Sequence, residues 1–315
     1  MPVRRIDVPQ LGRSLSALMA APSSAEPDTQ IAGLSAYHRM GGHAIHLHGE
    51  GGETHSRRAT GEWLREHGLR QAFFLCTQIC HDEWDDTAQR PIDRFTPEAV
   101  HEDITTDLEL LETNYLDLVY LDDRPDVRFE SVIDALGREI ANGRVCALGV
   151  RNWTADRICA AHDYAAHVAG QGITALITTE LSPFASTSPL WPEYVPFDST
   201  ISQAVRELEL VVFAHAGDAT LGQCLFGDEE PAARMRPEWV QRWQHPANAD
   251  IVRHIREIEG ARRLKSREIQ IVWMLNQSFP VVAIIGVPSL STDIGGRYER
   301  ASQLVIEESE LFRLR

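Results

Sequence analysis

The chain has 315 residues and a formal net charge of −16. Such an acidic balance excludes nucleic acid and anionic membrane as partners, because a phosphate backbone is gripped by clustered Lys and Arg; a small molecule is the partner expected. Hydrophobic residues make up 43%, enough for a sizeable core, and the length fits either one large α/β barrel or two ordinary domains.

In chain order, VRRIDVPQLGRS (3–14) reads as a short hairpin. LSALMAA (15–21) is a first strand, and PDTQIAGLSAYHRMGG (27–42) a helix stopped by Gly41 and Gly42. HAIHLH (43–48) is a second strand, followed by the turn GEGGE (49–53) and a helix. That turn resembles a phosphate-cradling loop only superficially, since its flanking glutamates disfavour phosphate. AFFLCTQ (72–78), LDLVYLD (116–122), RVCALGV (144–150), TALITTEL (174–181), LVVFAHA (210–216) and VVAIIGV (281–287) follow as strands. Helical spacing falls between them: Val100, Ile104, Leu108 and Leu111 share a face, as do Val132, Ile133, Leu136 and Ile140, and then Ile269, Val272 and Leu275. Thr96-Pro97 and Ser266 are start signals for two of these helices.

Eight strands alternating with helices predict a (β/α)8 TIM barrel, in a single domain over 1–315, with a short N-terminal hairpin and long C-terminal-face loops. The loops are 183–200 and 217–246. The last segment, TDIGGRYERASQLVIEESELFRLR, reads as helical and covers the barrel from outside. MPVRRIDVPQ lacks the apolar run of a signal peptide, and no stretch approaches the ~20 apolar residues of a membrane span. The five cysteines (76, 80, 146, 159 and 224) form no CxxC, and their number is odd. A reduced, cytoplasmic chain is expected; oligomeric state is not legible.

Four segments in order resemble the aldo-keto reductase family: GETHSRRATGEWL (52–64), LDLVYLDDRP (116–125), GRVCALGVRNW (143–153) and KSREIQIVWMLNQSFPVVAIIG (265–286). The resemblance spans nearly the whole chain, although no single motif is strongly specific. It implies a barrel that reduces carbonyls with NADPH through a tetrad of Asp, Tyr, Lys and His. Carried over position by position, the Asp falls on His46, the Tyr on Gly51, the Lys on Gln78 and the His on Asp122, or on Asp123 if the turn is one residue longer. The chain has one lysine, Lys265, far from the third strand, and no Tyr between Tyr37 and Tyr115. Family-type proton donation therefore has no phenol to perform it. On the cofactor side Asn152 is retained, with Ser289, Ser291 and Arg297 as further candidates. The family's basic grip on the 2′-phosphate reads as Pro288, its strand-six Gln as Thr178 and its stacking aromatic as His215; Asp218 sets a carboxylate in the pyrophosphate path. No cofactor is expected, with NADPH as the alternative.

Alternation on a strand puts His46 and His48 on one face. Gln78, Asp122, Glu180 and His215 are expected to approach from other strands. A histidine whose pKa is raised by a neighbouring carboxylate suits general acid–base chemistry. The leading expectation is a barrel retasked for non-redox chemistry such as dehydration, cyclisation, isomerisation or lyase action on a small organic molecule, plausibly in specialised metabolism. In that reading His46 and His48 are catalytic with Asp122 as partner, while Gln78, Arg151, Glu180 and His215 bind substrate; Arg151 pairs with Asp122 or Glu180 or takes a substrate carboxylate. The alternatives are an NAD(P)H-dependent reductase with an atypical proton donor such as His46, and a catalytically inactive ligand-binding or regulatory protein. A metal held by His46, His48 and Asp122, with His215, is a further alternative to no metal, carried only by a common His-x-His pattern. Cys76 is expected in the core and Cys80 near the mouth on the face of Gln78, without a base to make it a nucleophile.

Overall fold

The computed structural model describes residues 2–22, 26–48, 54–81, 83–85, 89–188, 194–215, 241–287 and 293–305. Gly51, Cys224, Pro288, Ser289, Ser291 and Asp218 lie outside them, as do most of 217–246 and the final residues 306–315.

The first strand forecast over 15–21 is divided. Arg5–Val8 (β1) and Arg13–Ser16 (β2) form an antiparallel hairpin, and Leu18–Ala21 (β3) enters the barrel. The barrel continues with Ala44–Leu47 (β4) and Phe74–Ile79 (β5). A small hairpin, Glu83–Asp85 (β6) with Arg90–Ile92 (β7), follows; its three-residue strands are too short to show a period in sequence. Leu118–Asp122 (β8), Leu148–Arg151 (β9), Ala175–Thr178 (β10), Val211–His215 (β11) and Val281–Gly286 (β12) complete it. These eight strands close in the order β10-β11-β12-β3-β4-β5-β8-β9, every pairing parallel. This is a (β/α)8 TIM barrel with an N-terminal hairpin.

The helices cover it from outside. They are Pro27–Arg39 (α1), Thr54–Glu66 (α2), Pro97–Leu110 (α3), Glu130–Ala141 (α4), Ala155–Ala169 (α5), Ser199–Glu207 (α6), Asn248–Arg262 (α7), Ser266–Leu275 (α8) and Asp293–Ser302 (α9). Thr96 caps α3 as expected, its side chain accepting from the Ala99 N–H at 3.2 Å. Ser266 is instead the first helical residue of α8; the start lies at Lys265, whose N–H is taken by Glu268 at 2.6 Å. Gly61 lets α2 approach the end of α3, where a Cβ would stand 2.5 Å from the Leu110 carbonyl oxygen.

Strand alternation sorts the core into two clusters. Outward residues such as Ile45, Leu75, Val119 and Val212 pack under the helices. Inward residues Met19, Phe74, Leu118, Ile177, Phe213 and Val282 fill the barrel, with Val8 and Leu15 of the hairpin packed against them. The interior is thus closed by the hairpin, and the inward positions at the strand C-terminal ends are left for polar side chains. Among the described residues no helix is long and apolar enough to cross a membrane.

Candidate active site at the barrel mouth

Register carries the inward polar residues to one level. His46 of β4 lies opposite Cys76 of β5, Gln78 opposite Tyr120 of β8, and Asp122 opposite Arg151 of β9. Asp122 is the inward member of its pair. Asp123 turns away and accepts from Arg157 Nε at 2.6 Å.

Asp122 and Arg151 form the charged element. The Arg151 Nε donates to Asp122 Oδ1 at 2.5 Å and its Nη2 to Oδ2, a bidentate pair. Gln78 Nε2 donates to Oδ2 at 2.8 Å, and Asn152 Nδ2 reaches Oδ1 at 3.4 Å. Arg151 is 3% exposed. Its third contact runs from Nη1 to His48 Nε2 at 2.6 Å. A guanidinium only donates, so His48 is neutral with its proton on Nδ1.

His48, His46 and His215 gather beside this pair. The ring centres of His46 and His215 are 5.2 Å apart and nearly perpendicular; those of His46 and His48 are 5.8 Å apart, and those of His48 and His215 6.2 Å. His46 is wholly buried and stacks on Tyr120 at 5.4 Å. Among the described residues, neither of its ring nitrogens has a hydrogen-bond partner, and Nε2 of His215 also lacks one. Burial, reinforced by the other imidazoles, lowers the His46 pKa well below the usual range. Burial and the nearby Arg151 push His48 to about 3, and burial with His48 and Arg151 does the same to His215.

This corrects two expectations. His46 is not hydrogen-bonded to Asp122, whose oxygens face Arg151, Gln78 and Asn152. The imidazoles are held neutral rather than raised, because burial disfavours their charged form and the carboxylate that would offset it is already neutralised by Arg151. Glu180 is elsewhere too: it pairs with Arg242 at 2.8 Å, both side chains buried. Among the described residues no three His, Cys, Asp or Glu side chains converge as metal ligands, and the guanidinium on His48 Nε2 occupies the lone pair a metal would need.

Two other placements differ. Cys76 is core, as expected, but Cys80 follows the end of β5 in a left-handed conformation (φ 56°), its N–H on Asp103 and its side chain in the outer cluster. Burial pushes its thiol up to about 12. Arg297 donates through Nε to Glu268 at 2.6 Å.

Sequence reading missed several neighbours. Tyr120 stands two residues before Asp122, so alternation alone places it inward, with its hydroxyl 3.4 Å from Gln78 Oε1. Burial raises its pKa well above the ordinary value. Tyr194, from the chain after β10, lies near enough to Arg151 to act on it electrostatically. Arg57 and Arg242 carried no sequence signal, since their reach to His48 and Glu180 is set by tertiary packing.

Residues 36–187 match the model of the Aldo/keto reductase family. Over that segment, just under half of its length, the chain resembles the aldo-keto reductase family. Among solved structures, the chain is similar to a glycerol dehydrogenase from Gluconobacter oxydans, with 16% identity, a TM-score of 0.74, and coverage of 98% of this chain and 93% of that one. At that identity the likeness speaks for the fold. No curated protein matches the sequence.

Proposed function

We propose that this aldo-keto reductase-like barrel carries out non-redox proton-transfer chemistry, of the isomerisation, dehydration, cyclisation or lyase type, on a small organic molecule. The observation that carries the reading is the set of buried ring nitrogens on His46 and His215 that have no hydrogen-bond partner among the described residues, on rings whose centres are 5.2 Å apart. Buried polar atoms are nearly always paired in a working protein, so these are set aside for something that enters.

A neutral imidazole polarises a carbonyl by donating its N–H. In this reading His46 donates to the substrate carbonyl oxygen, and the free lone pair of His215 receives the proton from the adjacent carbon. The C–H electron pair becomes the C=C bond while the C=O π pair moves to the oxygen, giving an enolate held by the His46 N–H and an imidazolium at His215; returning that proton to another carbon isomerises the substrate, and loss of a β-leaving group completes an elimination. Bases held near 3 are weak, so the substrate class is one with an acidified C–H, such as a β-dicarbonyl. Arg151 and Asp122 cancel each other's charge, which favours a neutral substrate. Gln78, locked on Asp122, holds that pair in place, and Tyr120 forms the floor beneath His46.

Among the described residues, those assigned to NADPH by resemblance are engaged within the protein. The Asn152 amide is turned to Asp122, the Arg297 Nε is taken by the buried Glu268, and Arg151 extends over the mouth from β9. The setting is taken to be the cytoplasm, in keeping with free Cys76, Cys80, Cys146 and Cys159.

Fluorescence titration with NADPH tests this. No saturable quenching of the protein's tryptophans is expected. Saturable binding would overturn the reading and restore reduction, with His46 as proton donor. A His46→Gln variant that exchanges substrate α-protons with D₂O as fast as the wild type would also overturn it.

A further inference from the structure

Arg57 lies in the first turn of α2, outside the barrel, yet it is buried at 6% exposure. Its Nε donates to Asp107 of α3 at 2.6 Å, and its Nη1 donates to the main-chain carbonyl of His48 at 2.8 Å. Asp107 is buried too. A charged pair so placed is expensive to desolvate and gives little net stability over an apolar pair of the same size. Its bond to the His48 carbonyl supplies a specific geometric function. That carbonyl stands one residue beyond β4, whose pairing with β5 runs to Leu47 opposite Thr77. The ring of the same residue must meet Arg151 at 2.6 Å.

We propose that Arg57 is a positioning residue of the histidine cluster, holding the His48 main chain from behind so that its ring nitrogen meets Arg151 at the barrel mouth. Residues 46–48 are then gripped from two sides: the side chain of His48 by Arg151, its carbonyl by Arg57. A shift of the strand end by an ångström would lengthen the His48–Arg151 contact past hydrogen-bonding distance. Arg57 also adds positive charge beside His46 and His48, alongside Arg151 and, for His48, His81; this supports their neutral state. The proposal rests on reading the three-histidine cluster as the working site, but it is tested on His48 itself and not on turnover.

The experiment uses the full chain with ¹⁵N-labelled histidine at pH 7, and the His48 signals are assigned by their loss in His48→Gln. In the wild type His48 shows a single tautomer, with the proton on Nδ1 and the lone pair on Nε2. Arg57→Met is expected to replace that signature with averaged tautomers. If its unpaired Asp107 prevents folding, the double variant Arg57→Met, Asp107→Leu removes the buried pair as a unit and spares the fold; it is expected to show the same averaging with an unchanged Tm. Arg57→Lys keeps the charge but cannot span both acceptors, and is expected to give partial averaging. A double variant, or Arg57→Lys where neither Met variant folds, that keeps the wild-type His48 signature would overturn the proposal and leave Arg57 as a structural partner of Asp107 alone.

Discussion

Replacing Asp122 with Asn tests the charge arrangement most directly. The two side chains have nearly the same shape, so the change isolates charge and hydrogen-bond direction. Each Asp122 oxygen accepts from two donors: Oδ2 from Arg151 Nη2 and Gln78 Nε2, Oδ1 from Arg151 Nε and Asn152 Nδ2. Whichever oxygen becomes NH2 therefore faces two donors, and rotation of the amide does not relieve it. The Arg151 side chain is 4% exposed and is left buried without its counter-charge. Breaking a buried pair in this way costs about 3–5 kcal/mol, and with Asp122 at 18% exposure the lower end, ~3 kcal/mol, applies. At about 2.1 cal/mol/K of unfolding entropy per residue, a 315-residue chain converts ~3 kcal/mol into a Tm lowered by about 5 °C. Calorimetry or thermal circular dichroism measures it. Replacing both members, Asp122→Leu with Arg151→Met, is expected to recover most of the loss. A single Asn variant within about 1 °C of the wild type would refute the reasoning, because the pair would then be screened by water.

Acid sensitivity follows from the histidines. A histidine whose folded pKa lies below its unfolded value takes its proton first in the unfolded chain. Stability from His48 and His215 is therefore present above about 6.5, falls as pH drops, and stops falling near 3. Each contributes up to ~1.4 kcal/mol per pH unit in that window. Urea denaturation at pH 7, 6 and 5 reads this, and His48→Gln with His215→Gln is expected to flatten the slope; a wild type equally stable at pH 7 and 5 contradicts the burial argument. Gly61→Ala gives a separate check on packing: its Cβ meets the backbone of Leu110 and Leu111 within 2.7 Å. Overpacking there is expected to cost ~1–3 kcal/mol, against a helix-propensity gain of up to ~1 kcal/mol; a raised Tm would show that α2 and α3 separate freely.

The barrel was legible because a parallel strand buried on both faces leaves a short apolar run, and these runs recur between 3.6-period helices. The exception is instructive. Leu15–Ala21 reads as one strand because nothing in its hydrophobicity marks Ala17, where the chain passes from the hairpin to the barrel. Alternation also brought His46, His48, Gln78, Asp122 and His215 inward. It failed for Glu180, which lies beyond the end of β10, where alternation no longer applies. Pairings were less legible than positions. Asp122 was assigned to His46, but the register of β8 on β9 sets it beside Arg151, and a guanidinium outcompetes an imidazole for a carboxylate. Arg57 could not be found at all, since its reach to His48 is set by tertiary packing.

That pairing constrains how the site is altered. Under the family resemblance, positions 122 and 151 would carry His and Ser, and here they carry Asp and Arg. The structure makes these two residues mutually dependent, since each is the other's counter-charge at the mouth. Arg151 with a histidine at 122 would face an imidazole across β8 and β9, and its charge would be buried against His48 and a second ring. Asp122 with a serine at 151 would keep only the amides of Gln78 and Asn152. Either single reversion leaves a buried charge; the double leaves none. Asp122→His alone is therefore expected to be less stable than Asp122→His with Arg151→Ser, by ~2–3 kcal/mol, within the range coupled neighbours show. Urea denaturation of the two variants and of Arg151→Ser completes the cycle. Additive effects would mean that the two positions act independently and that the neutral histidine cluster does not depend on the pair beside it.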